Sequence, residues 1–168
     1  MTDPRDTPVA PEIAPEIAPE NAPEIASETP PEIAPGVREL DHTADVGIAV
    51  TASEPTELFR RAALGMARLM REEGGSGRSA ERVVELPADS LDLLLVSWLA
   101  ELLYLDEVEG FVFEDAAFVQ LGDGGLKATV VGRIEAEIPE RQLKGVTYHG
   151  LLLEPDAGGW QARVIFDI

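Results

Sequence analysis

The sequence predicts an α+β fold: two layers, with a mostly antiparallel sheet of about six strands and two main helices. Three observations carry that reading. Val46, Ile48 and Val50 alternate with small or polar residues, the period-two mark of a half-buried strand. Two stretches, Leu58 to Met70 and Leu91 to Leu105, then place apolar residues at helical spacing. Later, Gly122-Asp123-Gly124-Gly125 and Pro155-Asp156-Ala157-Gly158-Gly159 separate strand-like runs, as hairpin connections do. Helices early and hairpins late argue for a sheet with one face covered.

Residues 1–36 stand apart from this pattern. They hold nine of the thirteen prolines, and the phrase Pro-Glu-Ile-Ala recurs with small variations from Pro11 to Ala34. Proline removes amide donors and disfavours helical geometry in the residue before it, so the segment is expected to be a disordered, extended arm. Eight carboxylates against Arg5 favour the same solvated state. The 132 residues from Val37 to Ile168 are a suitable size for one domain.

Within that domain, Ser53 is placed to cap a helix that opens with Glu54 and Pro55. Leu58, Phe59, Ala62, Ala63, Met66, Leu69 and Met70 form its apolar stripe, and the glycines at 74, 75 and 77 end it. A short strand is expected around Arg82 to Leu86. Asp89 and Asp92 mark the next helix start, and Leu91, Leu94, Leu95, Trp98, Leu99, Leu102 and Leu103 form its wide stripe. Leu93, Val96 and Leu105 extend the apolar surface, so this is the central helix of the core, and Trp98 is read as core. Gly110 closes it. Four strands follow, Phe111 to Leu121, Leu126 to Ala136, Val146 to Leu153 and Trp160 to Asp167, expected to pair antiparallel in sequence order.

Composition removes several chemistries. The chain has no cysteine, which excludes disulfides, zinc thiolates and thiol nucleophiles. Neither Ser53 nor Ser97 sits in a nucleophile elbow, and no glycine-rich loop precedes Lys-Ser or Lys-Thr. With 12 basic and 24 acidic residues, Val37 to Ile168 would repel a phosphate backbone, so direct nucleic-acid binding is not expected. A basic protein surface or a divalent cation suits the charge better. No apolar run is long enough to span a membrane and no signal core opens the chain, so a cytoplasmic location is expected.

The carboxylates remain. Asp41 and Asp45 bracket the entry to the first strand, and Asp167 lies one residue from the α-carboxylate of Ile168. Hard divalent cations are held by several oxygens, often from different strand ends. Isolated aspartates near turns more commonly bond local backbone, so this chemistry alone leaves both readings open. His42 is placed either to orient Asp45 or to bond backbone. Tyr148 and His149 are adjacent on a strand and should face opposite ways, one buried and one exposed.

Four stretches together carry a resemblance: "DHTADVGI" at 41–48, "LLLVSWLAELLYLDEVEGFVF" at 93–113, "LKGVTYHGL" at 143–151 and the closing "RVIFDI". In order and spacing they resemble the archease family, across nearly all of Val37 to Ile168. The resemblance implies a small α/β domain that acts as the protein cofactor of the GTP-dependent RtcB-type RNA ligase in tRNA splicing and RNA repair. It also implies a divalent-metal site, for calcium, manganese or magnesium, at Asp45, Asp167 and the carboxylate of Ile168. Two other readings use the same residues: a stand-alone metal-dependent phosphoester hydrolase, or a chaperone-like binding module with structural aspartates. The chain departs from the family in "EIPERQLKGVTYHG", where Gly145 stands at a position usually alanine, and in the Pro-Glu-Ile-Ala arm.

Overall fold

The computed structural model describes residues 30–41, 45–71 and 75–168. Eight strands and two helices follow in the order β1 (Glu32–Ala34), β2 (Val37–Asp41), β3 (Asp45–Ala52), α1 (Pro55–Met70), β4 (Arg78–Leu86), α2 (Leu91–Glu109), β5 (Phe111–Gly122), β6 (Gly125–Ile134), β7 (Gly145–Asp156) and β8 (Gly159–Asp167). The α+β class is as expected, but the strands form two sheets. One runs β1-β2-β3-β8-β7 and the other β4-β6-β5, with every pairing antiparallel.

Both glycine-rich connections form hairpins, β5 with β6 and β7 with β8. Sequence-order pairing stops between β6 and β7. There β4 takes the second edge of β6, and residues 135–144 cross to the other sheet. The arm drawn through Gly36 also overlaps the fold. Glu32–Ala34 pair with β2, and Ala34 is buried at 8% exposure, because an edge strand tolerates a proline at its start.

Helix α1 starts one residue later than Ser53 would have it. Glu54 is the N-cap, Pro55 follows, and no side chain caps the helix. Its stripe of Leu58, Phe59, Ala62, Ala63, Met66, Leu69 and Met70 is buried as the spacing requires. The close approach of α1 to β2 depends on Gly65, where a Cβ would lie 2.6 Å from Val37 Cγ1.

Helix α2 is buried on most of its circumference, with Leu94, Leu95, Val96, Trp98, Leu99, Leu102, Leu103 and Leu105 all inside. It ends at Glu109, where Gly110 closes it as expected and donates its N–H to Asp106 O at 2.8 Å. Trp98 is wholly buried, donates Nε1–H to Phe59 O at 3.1 Å and meets Phe113 edge-on. That bond matters because a buried indole N–H without a partner costs about 1–3 kcal/mol. Both helices touch strands of both sheets, so a single core serves the whole unit. Among the described residues no helix is long and apolar enough to cross a membrane.

Candidate functional site

Strand β3 begins at Asp45 and β8 ends at Asp167, and the antiparallel register sets these two residues directly opposite each other. Opposed residues project from the same face, with Cβ atoms about 4.5–5.5 Å apart. The next pair inward, Val46 and Phe166, is buried, so alternation puts the two aspartates on the face turned away from the helices. Asp45 is half-buried and Asp167 exposed.

Strand β7 flanks the same point from the other side, with Gly145 opposite Asp167. Its neighbour Lys144 clasps the end of β8 twice. The backbone N–H donates to Asp167 O at 2.8 Å and Nζ donates to Ile168 O at 2.9 Å. A Cβ at position 145 would lie 4.0 Å from Asp167 Oδ2, an ordinary contact. Alanine would therefore fit, and glycine leaves that side of the carboxylate open.

Like charges directly opposed in a sheet destabilise it by a few tenths of a kcal/mol or more unless something neutralises them. Lys144 is the basic side chain placed here among the described residues, and it binds the main-chain oxygen of Ile168 rather than either aspartate. The backbone of Asp41 lies at the same end, paired with Val46. His42 lies outside the described residues, as do Thr43 and Ala44. No group of three His, Cys, Asp or Glu side chains converges among the described residues. The side chains set opposite each other here are two aspartates, whose oxygens are hard donors of the kind divalent cations accept.

Tyr148 and His149 do not divide into one buried and one exposed residue. Both are exposed, because the register of β7 against β8 breaks between Thr147 and Leu152 and the strand loses its alternation there. Gly150, at φ +64, supplies the left-handed residue this needs. His149 N–H donates to Thr147 Oγ1 at 3.2 Å, and Arg163 Nε donates to Gly150 O at 2.9 Å. Both rings are consequently exposed at the edge of the sheet.

A second charged centre was not legible in the sequence. Arg71, just past α1, donates Nη1 and Nη2 to the two oxygens of Asp106 in α2, the second bond at 3.1 Å. Its Nε lies 3.6 Å from Glu135 Oε2, and Arg133 Nε donates to Glu135 Oε1 at 3.0 Å. The side chains of Arg71, Asp106 and Glu135 are 10%, 9% and 8% exposed. Burial pushes the Asp106 carboxyl above its ordinary value, against the opposing pull of the Arg71 hydrogen bond. These residues line a cavity of about 550 Å³ that reaches Ile138 and Lys144. Arg71 and Asp106 are 35 positions apart and carry no shared motif.

An acidic α+β domain with opposed carboxylates at one sheet end is the class of protein so defined. A family model described as the archease protein family (MTH1598/TM1083) matches residues 38–168, and the chain belongs to that family. It is 38% identical to a protein archease of Methanosarcina mazei over 136 residues, 77% of this chain and 93% of that protein. A protein archease of Archaeoglobus fulgidus is 36% identical over 135 residues, covering 78% and 98%. Among solved structures, protein 1598 of Methanobacterium thermoautotrophicum superposes with a TM-score of 0.65 at 30% identity, covering 79% of this chain and 99% of that one. An archease of Thermotoga maritima, described as a possible chaperone, shares the fold at a TM-score of 0.57 and 18% identity, covering 77% and 94%.

Proposed function

We propose that this chain is a non-catalytic activator of a GTP-dependent RtcB-type RNA ligase, promoting guanylylation and repeated turnover of the ligase in tRNA splicing or RNA repair. The observation that carries the reading is the opposition of Asp45 and Asp167 beside Ile168, in a chain of the archease family. Asp45, Asp167 and the Ile168 carboxylate would hold a divalent cation, calcium, manganese or magnesium. The fit rests on the donors themselves: hard oxygens, two of them on opposed side chains whose repulsion a cation would relieve. Such a cation, once held, would supply charge neutralisation for phosphate during guanylate transfer. The chain's own residues present the oxygens, and Lys144 holds the last of them in place.

The charge of the domain supports a protein partner over RNA. An excess of carboxylates suits the basic cleft of a ligase that must hold RNA and GTP, and complementary fields speed encounter. A cytoplasmic site of action belongs to the same reading.

The test is multiple-turnover joining of an RNA bearing a 3′-phosphate by the ligase of the same organism, with and without this protein. Stimulation at substoichiometric amounts, lost in Asp45→Ala and Asp167→Ala variants that keep the wild-type circular dichroism spectrum, is the expected result. No stimulation by the folded protein would sink the activator reading. Turnover of a phosphoester by the protein alone would replace it with a hydrolase.

A further inference from the structure

We propose that the edge of β2 that β1 covers, roofed by α1, is a docking site for the phrase Pro-Glu-Ile-Ala, and that the copy at residues 23–26 of the same chain exchanges with the copy at 31–34. Each position of the docked phrase meets a receptor. Pro31 O accepts the N–H of Glu39 at 3.3 Å, so the position that lacks a donor is used only as an acceptor. Glu32 is the cross-strand partner of Arg38, which puts opposite charges side by side. Ile33 packs against the core, and Ala34 is buried within it. Contacts with α1 complete the seat.

The same four residues recur verbatim at 11–14, 15–18 and 23–26, whereas 19–22 reads Pro-Glu-Asn-Ala and would set a polar amide where Ile33 packs. Three further copies therefore carry every group the seat reads. What favours the copy at 31–34 lies outside the phrase: the tight Pro35-Gly36 turn, with Gly36 at φ +71 and its N–H donating to Glu32 Oε1 at 2.6 Å. Seating residues 23–26 would lose that turn and close a longer loop, through residues 27–36. Loop-closure entropy grows only slowly with length, so the exchanged register is a minor state with the chain intact. It becomes the major one when the copy at 31–34 is damaged. The seat thus tolerates loss of its own strand.

The experiment is a cycle of variants in the full chain, read by thermal melting and amide hydrogen exchange. Replacing Ile13, Ile17 and Ile25 together by Asp should leave Tm unchanged when Ile33 is present. In an Ile33→Asp background the same three changes should lower Tm further, by about 4 °C. Ile33→Asp should also raise protection of the Glu24 to Ala26 amides about tenfold, and adding Ile25→Asp should remove it. If the three changes are silent in both backgrounds, or those amides stay unprotected, the proposal fails. A Tm of Ile33→Asp that rises with protein concentration would overturn the same-chain assignment in favour of arms exchanged between two molecules. Ile33→Ala serves for the same cycle should Ile33→Asp not fold.

Discussion

The two charged regions of this molecule use the same chemistry to opposite ends. At the junction of the helices, Asp106 and Glu135 are almost wholly buried, and each faces a guanidinium. At the end of the five-stranded sheet, Asp45 and Asp167 are opposed at one register position and more open to solvent. Buried carboxylates must be neutralised within the fold, because removing a charge from water costs several kcal/mol. Carboxylates nearer the surface can stay charged and available. The first arrangement ties the end of α1 to α2; the second leaves two carboxylates nearer the solvent.

Breaking the buried region should have the largest effect. Arg71→Ala leaves Asp106 and Glu135 without their shared guanidinium, and a broken buried pair costs about 3–5 kcal/mol. The midpoint of urea unfolding should fall accordingly while divalent-cation affinity in the folded fraction is unchanged. A loss below about 1 kcal/mol would place Arg71 with the weak surface pairs. Asp167→Asn tests the other side. Titration calorimetry with calcium or manganese should show cation affinity falling at least about tenfold, roughly 1.4 kcal/mol, with stability constant or raised by a few tenths as repulsion with Asp45 is relieved. Stability falling as far as in the Arg71 variant would erase the distinction.

The smallest effect is in acid, where the sign separates paired from desolvated carboxylates. Hydrogen bonds from Arg60, with help from Arg61, hold Glu57 down to about 2 from its ordinary value of 4.5. A lowered folded-state value contributes stability that is complete above about pH 4.5 and is lost as pH falls towards 2. Asp106 is displaced upward, so the native state takes up its proton first, and that titration adds stability on the way down. Unfolding midpoints at pH 5, 4 and 3 should therefore fall less steeply in Glu57→Gln than in the wild type. An identical slope would show the Glu57 pairs screened to nothing.

How far the fold was legible follows from the range of each signal. Helices α1 and α2 could be read because their stripes and the Gly110 stop are local in sequence. The two-turn hairpins were readable for the same reason. Separation into two sheets was not, since it depends on β4 reaching β6 some 50 positions later, Val84 against Ala128 for instance, and no local residue announces that pairing. Strand β1 was hidden by the prolines around it, Pro31 and Pro35 among them, which argue for an arm until β2 and α1 supply a seat. At the candidate site, Asp45 and Asp167 were singled out from opposite ends of the domain, and the β3–β8 register brings them together. Lys144 lies within "LKGVTYHGL", but its contact with Ile168 depends on where β8 ends, and Tyr148 and His149 were misjudged because the β7–β8 register breaks between Thr147 and Leu152.

Trp98 and Trp160 give the molecule a built-in optical gauge. Trp98 is sealed between aromatic rings against the three-stranded sheet, while Trp160 opens β8 in the five-stranded one and is only half-buried. Their emission should differ in wavelength, the sealed indole bluer than the wetter one. With either replaced by phenylalanine, the remaining fluorophore reports on the sheet it packs against or belongs to. Coincident melting curves from the two single-tryptophan proteins would mark the sheets as one cooperative unit, as their shared core requires.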